Sequence, residues 1–285
     1  MLSLFINWDV SPVIFSIGSL KIQYYGLMFV MAFLLGYKVE ERMFRSEGIR
    51  LDWLDKLWIY VAIATLVGAR LGHCLFYDWE YFRQNILEIF LPFRFYPEFE
   101  FTGYRGLASH GAAIGIIVAL WFYSKKISKR SMFWILDRAV IPIALAGFFI
   151  RIGNLMNSEI IGKVTDVPWA FRFVRAAGYA DITLPRHPAQ LYEAICYLIS
   201  FAILMYLYWK TDAKKRLGFL FGMFLILIFT VRFFIEFLKE PQELFEQDML
   251  LNMGQLLSIP FILLGVFMIF YYKMRNKPLK GDKAS

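Results

Sequence analysis

"FWILDRAVIPIALAGFFIRIGNLMNSEIIG" (residues 133–162) joins an apolar block of membrane length to Arg151, Asn154, Asn157 and Glu159 without a break. A helix of about 20 residues crosses the hydrocarbon core of a bilayer, and residues 133–152 fit that length. A charged side chain at bilayer depth costs about 2.5–3.5 kcal/mol on insertion scales. Arg151 therefore either stands beyond the hydrocarbon or meets something polar at its edge.

Working outward, further apolar blocks occupy residues 22–37, 53–77, 106–123, 188–209, 217–238 and 251–272, the first being short. Of the 285 residues, 59% are hydrophobic and the mean hydropathy is +0.52. Soluble domains carry roughly 45–50% apolar residues. The expected fold class is an all-α polytopic membrane protein with seven transmembrane helices, a single integral membrane domain over residues 1–285 with no dividing linker. The first basic residue is Lys21, so the amino terminus lacks the charged n-region of a signal peptide.

The net charge of +8 invites a nucleic-acid reading, but the positions of the charges oppose it. Seventeen of the 31 basic residues fall in four clusters: Lys38, Arg42, Arg45 and Arg50; Lys125, Lys126, Lys129 and Arg130; Lys210, Lys214, Lys215 and Arg216; and Lys273, Arg275, Lys277, Lys280 and Lys283. They follow the first, third, fifth and seventh blocks, which by the positive-inside rule predicts an N-out, C-in topology. The opposite loops are then residues 78–105, 154–187 and 239–250, the last with Glu240, Glu243, Glu246 and Asp248 against Lys239 alone. Residues 163–186 are too polar for a span and predict a small extracytoplasmic cap. Within it "VPWAFRFVRAAG" alternates Trp169, Phe171 and Phe173 with Ala170 and Arg172, the period of a short half-buried strand. Pro188 suits the first turn of the next helix.

Cys74 and Cys196 lie in apolar surroundings, and His73, His110 and His187 are dispersed, so neither a metal nor a cofactor is expected. The charges left inside or beside spans are Arg70, Asp137, Arg138, Arg151, Glu159, Glu193, Arg232 and Glu236. Arg70 stands between Gly68 and Gly72, which permit close helix approach. Asp137 and Arg138 lie where snorkelling explains them. Arg232 and Glu236 share a helix face at i, i+4, where mutual pairing and a ligand role are both open. In the predicted topology Arg151, Glu159, His187, Arg232, Glu236, Tyr24, Tyr25, Ser109 and His110 all come to the outer side, and ionisable residues at that depth are functional candidates. Arginine forks suit phosphate, and His110 is able to take a proton near neutral pH. No serine–histidine–acid order, zinc motif or Walker loop is present, so the substrate is expected to bring its own nucleophile. The residues by themselves lead to a phospholipid-handling membrane protein. A lipid transporter is the competing class, and it predicts duplicated halves, of which the sequence gives no sign.

The sequence also resembles the prolipoprotein diacylglyceryl transferase family over nearly its whole length. The family signature Arg-x-Gly-Asn-x-x-Asn-x-Glu-x-x-Gly is matched by Arg151, Gly153, Asn154, Asn157, Glu159 and Gly162. "SPVIFSIGSLKIQYYGLMF", "GARLGHCLFY", "GLASHGAAIG", "RHPAQLYE", "RFFIEFLKEP" and "NMGQLLSIP" occur in the family's order. The resemblance implies transfer of an sn-1,2-diacylglyceryl group from phosphatidylglycerol to the lipobox cysteine thiol of a preprolipoprotein, with release of glycerol phosphate. It implies a bacterial inner-membrane enzyme whose active site faces the outer leaflet, with phosphatidylglycerol, signal peptides and the bilayer as partners. The implied catalytic set is Tyr25, His110, Arg151, Glu159 and Arg232. The implied lipid-binding set is Arg151, Asn154, Gly162, Arg232 and Glu236. Of His110 and Glu159, the candidates for the general base, His110 is preferred. Ser158 stands where the family frequently has glycine, Phe149 and Ile150 precede Arg151 where a small residue is usual, and Gly111–Ala112 replaces a common glycine pair.

Overall fold

The computed structural model describes residues 5–18, 20–95, 98–101, 106, 108–176, 181–241, 246 and 249–275. Glu243, Asp248, Lys277, Lys280 and Lys283, part of the charge pattern above, lie outside the described residues. Three short strands open the chain, β1 (Ile6–Trp8), β2 (Val13–Ile17) and β3 (Leu20–Gln23), followed by α1 (Tyr24–Ser46) and α2 (Leu51–Phe76). Two single-turn helices, α3 (Trp79–Phe82) and α4 (Leu87–Phe90), and the strand pair β4 (Phe93–Arg94) and β5 (Glu100–Phe101) lead to α5 (Ser109–Tyr123). Then come α6 (Met132–Met156), β6 (Phe171–Phe173), α7 (Ala189–Lys210), α8 (Phe219–Ile235) and α9 (Met253–Arg275).

Among the described residues, six helical segments are long and apolar enough to cross a membrane: Leu51–Phe76, His110–Ser128, Met132–Met156, Ala189–Lys210, Phe219–Leu238 and Met253–Tyr271. Only 22% to 50% of each apolar stretch is buried within the protein. Helices that are apolar all round yet mostly uncovered are stable where lipid, not water, surrounds them. The protein is thus mostly helical and multi-pass. The expected first span corresponds to α1, a 23-residue helix whose last turns carry Lys38, Glu40, Glu41, Arg42 and Arg45. That charge density keeps it outside the six.

The chain forms two compact units, one of Met1–Glu40 with Leu136–Ser285 and the other of Glu41–Ile135. In the second unit α2 packs along α5 through glycines. A Cβ on Gly111 would lie 2.3 Å from the Gly68 carbonyl oxygen, and one on Gly72 would lie 2.7 Å from the Gly111 Cα. The close approach expected at Gly68 and Gly72 is therefore real, and α5 is what approaches. Arg70, between them, is buried and donates to the carbonyls of Ile89 at 3.1 Å and Glu88 at 2.5 Å, with its guanidinium 4.7 Å from the Phe82 ring. It ties the end of α2 to the α3–α4 segment.

The first unit overturns one expectation. Asp137 does not snorkel. Its side chain is fully buried, and it accepts the backbone N–H groups of Gly218 at 2.6 Å and Phe221 at 2.9 Å. The carboxylate of α6 thereby serves the start of α8, whose first N–H groups have no partner within their own helix.

The cap strand forms as expected over Phe171–Phe173, but its inward alternation starts two residues later than the sequence suggests. Phe171 and Phe173 are buried, whereas Trp169 is exposed and donates to the Tyr192 hydroxyl at 2.8 Å. β6 pairs in parallel with β1, and Trp8 stacks on Phe171 at 5.2 Å while donating to the Leu155 carbonyl at 3.0 Å. Leu155, Ile161, Phe171, Phe173 and Ala176 form the small core there. Each fully buried large apolar side chain of this kind contributes about 1.5–3 kcal/mol. This cluster anchors the segment that leaves α6, which carries the signature residues.

Candidate functional site

Arg151 stands near the carboxy-terminal end of α6 and points into polar company. Its Nε lies 2.9 Å from Glu193 Oε2, and one of its terminal nitrogens donates to Asn154 Oδ1 at 3.2 Å. The Arg151 side chain is 17% exposed and that of Glu193 is 0% exposed. Glu193 projects from α7, and its other oxygen, Oε1, lies 3.0 Å from Lys239 Nζ. Lys239, 3% exposed, also reaches Glu236 Oε2 at 3.0 Å. A continuous chain of buried ion pairs thus runs Arg151–Glu193–Lys239–Glu236. Charges at such depth persist only when paired and hydrogen-bonded.

The turn after α6 explains the density of the signature. Asn154 Nδ2 donates to Glu159 Oε1 at 2.7 Å and Asn157 Nδ2 donates to the same oxygen at 3.4 Å. Gln190 Nε2 binds the Glu159 carbonyl at 2.7 Å. Ser158 and Ile160 on either side have φ of 53° and 59°, the left-handed region that costs a non-glycine residue, a β-branched one most. The frequent family glycine at the Ser158 position has its reason here. Backbone strain of this kind is held in place by surrounding hydrogen bonds and concentrates at functional sites.

Backbone bonds then stitch three elements into one platform. Gly162 N–H donates to the His187 carbonyl at 3.0 Å, Lys163 N–H to that of Leu238 at 2.7 Å, and Glu240 N–H to that of Ile161 at 3.2 Å. A Cβ on Gly162 would lie 2.5 Å from the His187 oxygen and 2.8 Å from that of Leu238. Glycine is required for the three backbones to meet. Arg186, buried beside this platform, pairs with Glu240 at 2.5 Å. His187 contacts the Tyr192 hydroxyl through Nδ1 at 3.2 Å, and burial holds its imidazole below its ordinary pKa.

Tyr25, in the first turn of α1, packs over Gly153, where a Cβ would lie 2.8 Å from its Cδ2. Tyr197, one turn after Glu193, has its hydroxyl 3.5 Å from Glu193 Oε1 and within electrostatic reach of both Arg151 and Arg232. Arg232 is the exception to the pairing. Among the described residues its buried Nε has no hydrogen-bond partner, and the i, i+4 acid Glu236 is turned to Lys239.

The first unit therefore holds Tyr25, Arg151, Asn154, Glu159, Gly162, Arg232 and Glu236 of the expected set. His110 belongs to the second unit, in the first turn of α5, exposed, with its ring 5.7 Å from Phe76 and 5.5 Å from Tyr77. Sequence reasoning missed Lys239, Tyr197 and Gln190, and noted Glu193 only as a buried charge. The signal for Tyr197 was its i+4 spacing from Glu193. Lys239 was concealed among the acids of its loop.

Such a fold and site define a class, a multi-pass membrane protein with an arginine-centred polar cluster set among its helices. The profile of the prolipoprotein diacylglyceryl transferase family matches residues 12–271. The chain is 47% identical over 273 residues to a phosphatidylglycerol–prolipoprotein diacylglyceryl transferase of Bacteroides fragilis, covering 95% of this chain and 96% of that protein. It is 45% identical to the protein of that name from Porphyromonas gingivalis over 93% and 94% of the two chains, and 42% identical to that of Tolumonas auensis over 92% and 95%. The chain belongs to the prolipoprotein diacylglyceryl transferase family.

Proposed function

We propose that the protein transfers the sn-1,2-diacylglyceryl group of phosphatidylglycerol to the lipobox cysteine of a preprolipoprotein, the first step of lipoprotein maturation. The thiol loses its proton to a base and the sulfur attacks glycerol C3 of the lipid. The C3–O bond breaks as the thioether forms, and glycerol phosphate leaves with the bonding electrons. The thiolate is the effective nucleophile, so the protein needs a proton acceptor and a means of binding and stabilising phosphate.

The observation that carries this reading is the buried, unpartnered Nε of Arg232 in the same unit as the Arg151 ion-pair chain. Arginine forks bind phosphate through charge-assisted hydrogen bonds, and donors aimed at the leaving oxygen stabilise the charge that develops there. Arg151 and Arg232 take this role, with Tyr25 donating to the phosphate or orienting the base. Asn154 aims Arg151, Gly162 admits the close backbone packing, and Glu236 acts indirectly, through its contact with Lys239. His110 is the proton acceptor, a role typically worth about 10²–10⁴-fold. Glu159 Oε1 is occupied by two asparagine amides, which suits it to ordering the turn rather than to taking the proton.

The whole chain, 1–285, acts as one transferase domain with residues 163–186 as its extracytoplasmic cap. α1 serves as a seventh span, and the basic clusters orient the protein N-out and C-in. That orientation puts the site towards the outer leaflet of the bacterial inner membrane. Glycerol phosphate release from purified protein, phosphatidylglycerol and a lipobox peptide tests the reading. Release that requires both Arg151 and the peptide cysteine supports it. Release that persists with Arg151→Ala, or with a Cys→Ala peptide, refutes it.

A further inference from the structure

Arg232 and Glu236 have the spacing at which a helix normally pairs acid with base. They are not paired. The turn of 3-10 helix at Glu236–Leu238 follows α8 directly, and it brings Lys239 to within 3.0 Å of Glu236 Oε2. On the far side of the carboxyl lies Gly254, at the start of α9, where a Cβ would come within 2.6 Å of Glu236 Cδ. The Glu236 carboxyl is therefore lodged between Lys239 and the backbone of α9. Lys239 holds Glu193 Oε1 at the same distance, 3.0 Å.

The charges then decide the matter. In the chain Arg151–Glu193–Lys239–Glu236, two cations face two anions and cancel. Arg232 stands outside that chain, with a buried Nε that has no hydrogen-bond partner among the described residues. A phosphate diester carries one negative charge. We propose that Lys239 is a positioning residue whose work is to occupy both buried acids and so keep Arg232 open for the lipid phosphate diester. The inference rests on the phosphate-binding reading above. Without Lys239, Glu236 would be released at the i, i+4 spacing from Arg232 at which a helix pairs acid with base, and the phosphate would compete with a tethered carboxylate for the same fork.

The test measures KM for phosphatidylglycerol and kcat for glycerol phosphate release, with thermal unfolding of the same samples, for Arg232→Ala, Lys239→Arg, Lys239→Met and Lys239→Met/Glu236→Gln. Capture of Arg232 by a carboxylate is equivalent to losing a charge-assisted contact, so Lys239→Met should raise KM about tenfold or more with a smaller change in kcat. Lys239→Arg keeps the cation and should stay within about threefold of wild type. The double variant removes the carboxylate at the i, i+4 position while Glu193 keeps its contact with Arg151, and it should recover most of the lost affinity, although it restores no ion pair. A folded Lys239→Met protein with wild-type KM would overturn the proposal. So would a folded double variant whose KM is raised about tenfold or more, an outcome that decides even where Lys239→Met alone does not fold. Arg232→Ala with wild-type KM would instead refute the phosphate-binding reading itself.

Discussion

Neutralising Glu193 tests how much of the site depends on one carboxylate. Glu193→Gln preserves the shape of a fully buried side chain while removing the charge that faces Arg151 Nε at 2.9 Å and Lys239 Nζ at 3.0 Å. The amide keeps one acceptor oxygen for two cations and turns an NH2 group towards one of them. The charge-assisted hydrogen bond from Lys239 contributes about 1.5–3 kcal/mol, and removing one partner of a buried ion pair such as Arg151–Glu193 costs about 3–5 kcal/mol. The expected loss of stability is therefore about 3 kcal/mol, with two cations left against Glu236 alone. Arg151 also loses the contact that aims its fork, so kcat/KM for glycerol phosphate release should fall about 10–100-fold. Glu193→Asp keeps the charge on a shorter stem and should fall between wild type and Glu193→Gln in both measures. The assay pairs product release from phosphatidylglycerol and a lipobox peptide with the unfolding midpoint of each sample. A Glu193→Gln protein with an unchanged midpoint and kcat/KM within about twofold of wild type would refute the bridging role.

Asp137→Leu should destabilise the protein by about 2 kcal/mol, because the N–H groups of Gly218 and Phe221 lose their acceptor in a buried setting. Its specific activity at low temperature should stay near wild type, and thermal unfolding with residual activity checks both. Gly111→Val should separate α2 from α5, since even a Cβ would lie 2.3 Å from the Gly68 carbonyl oxygen; the fraction of monodisperse protein recovered in detergent should drop sharply. His187 titrates below the ordinary 6.5 because burial disfavours its charged form. The unfolded chain then binds the proton more readily, so stability is fully present above about pH 6.5 and is lost as pH falls through the lower folded value. Unfolding midpoints between pH 5 and 8 should show that decline, and His187→Gln should flatten it.

Much of this was legible from single residues. The apolar blocks stand out because hydrocarbon demands long unbroken runs, and six of them are helices of spanning length. The strand at Phe171–Phe173 was visible in its alternation. Arg151, Asn154, Glu159 and Gly162 were marked by their density after an apolar run. The side on which a charge finds its partner was not visible. Asp137 read as an interfacial residue because nothing local shows that the start of α8, some eighty residues on, is bare of acceptors. Trp169 read as inward because period 2 does not say where a strand begins, and its indole found the Tyr192 hydroxyl instead.

What the sequence determined by itself is therefore the class and the inventory: a multi-pass helical protein with arginines, acids and asparagines at the ends of spans where lipid alone would not tolerate them. Those are consequences of local composition, and composition is one-dimensional. Only the tertiary structure decided the pairing. Arg232 and Glu236 satisfy every local rule for an ion pair, yet Lys239 and Glu193 redirect the acid. The backbone stitching at Gly162 brings the turn after α6 to the start of α7 and to the end of α8. A buried charge pairs with whichever opposite charge the packing brings within about 3 Å, and that distance is a property of the folded chain.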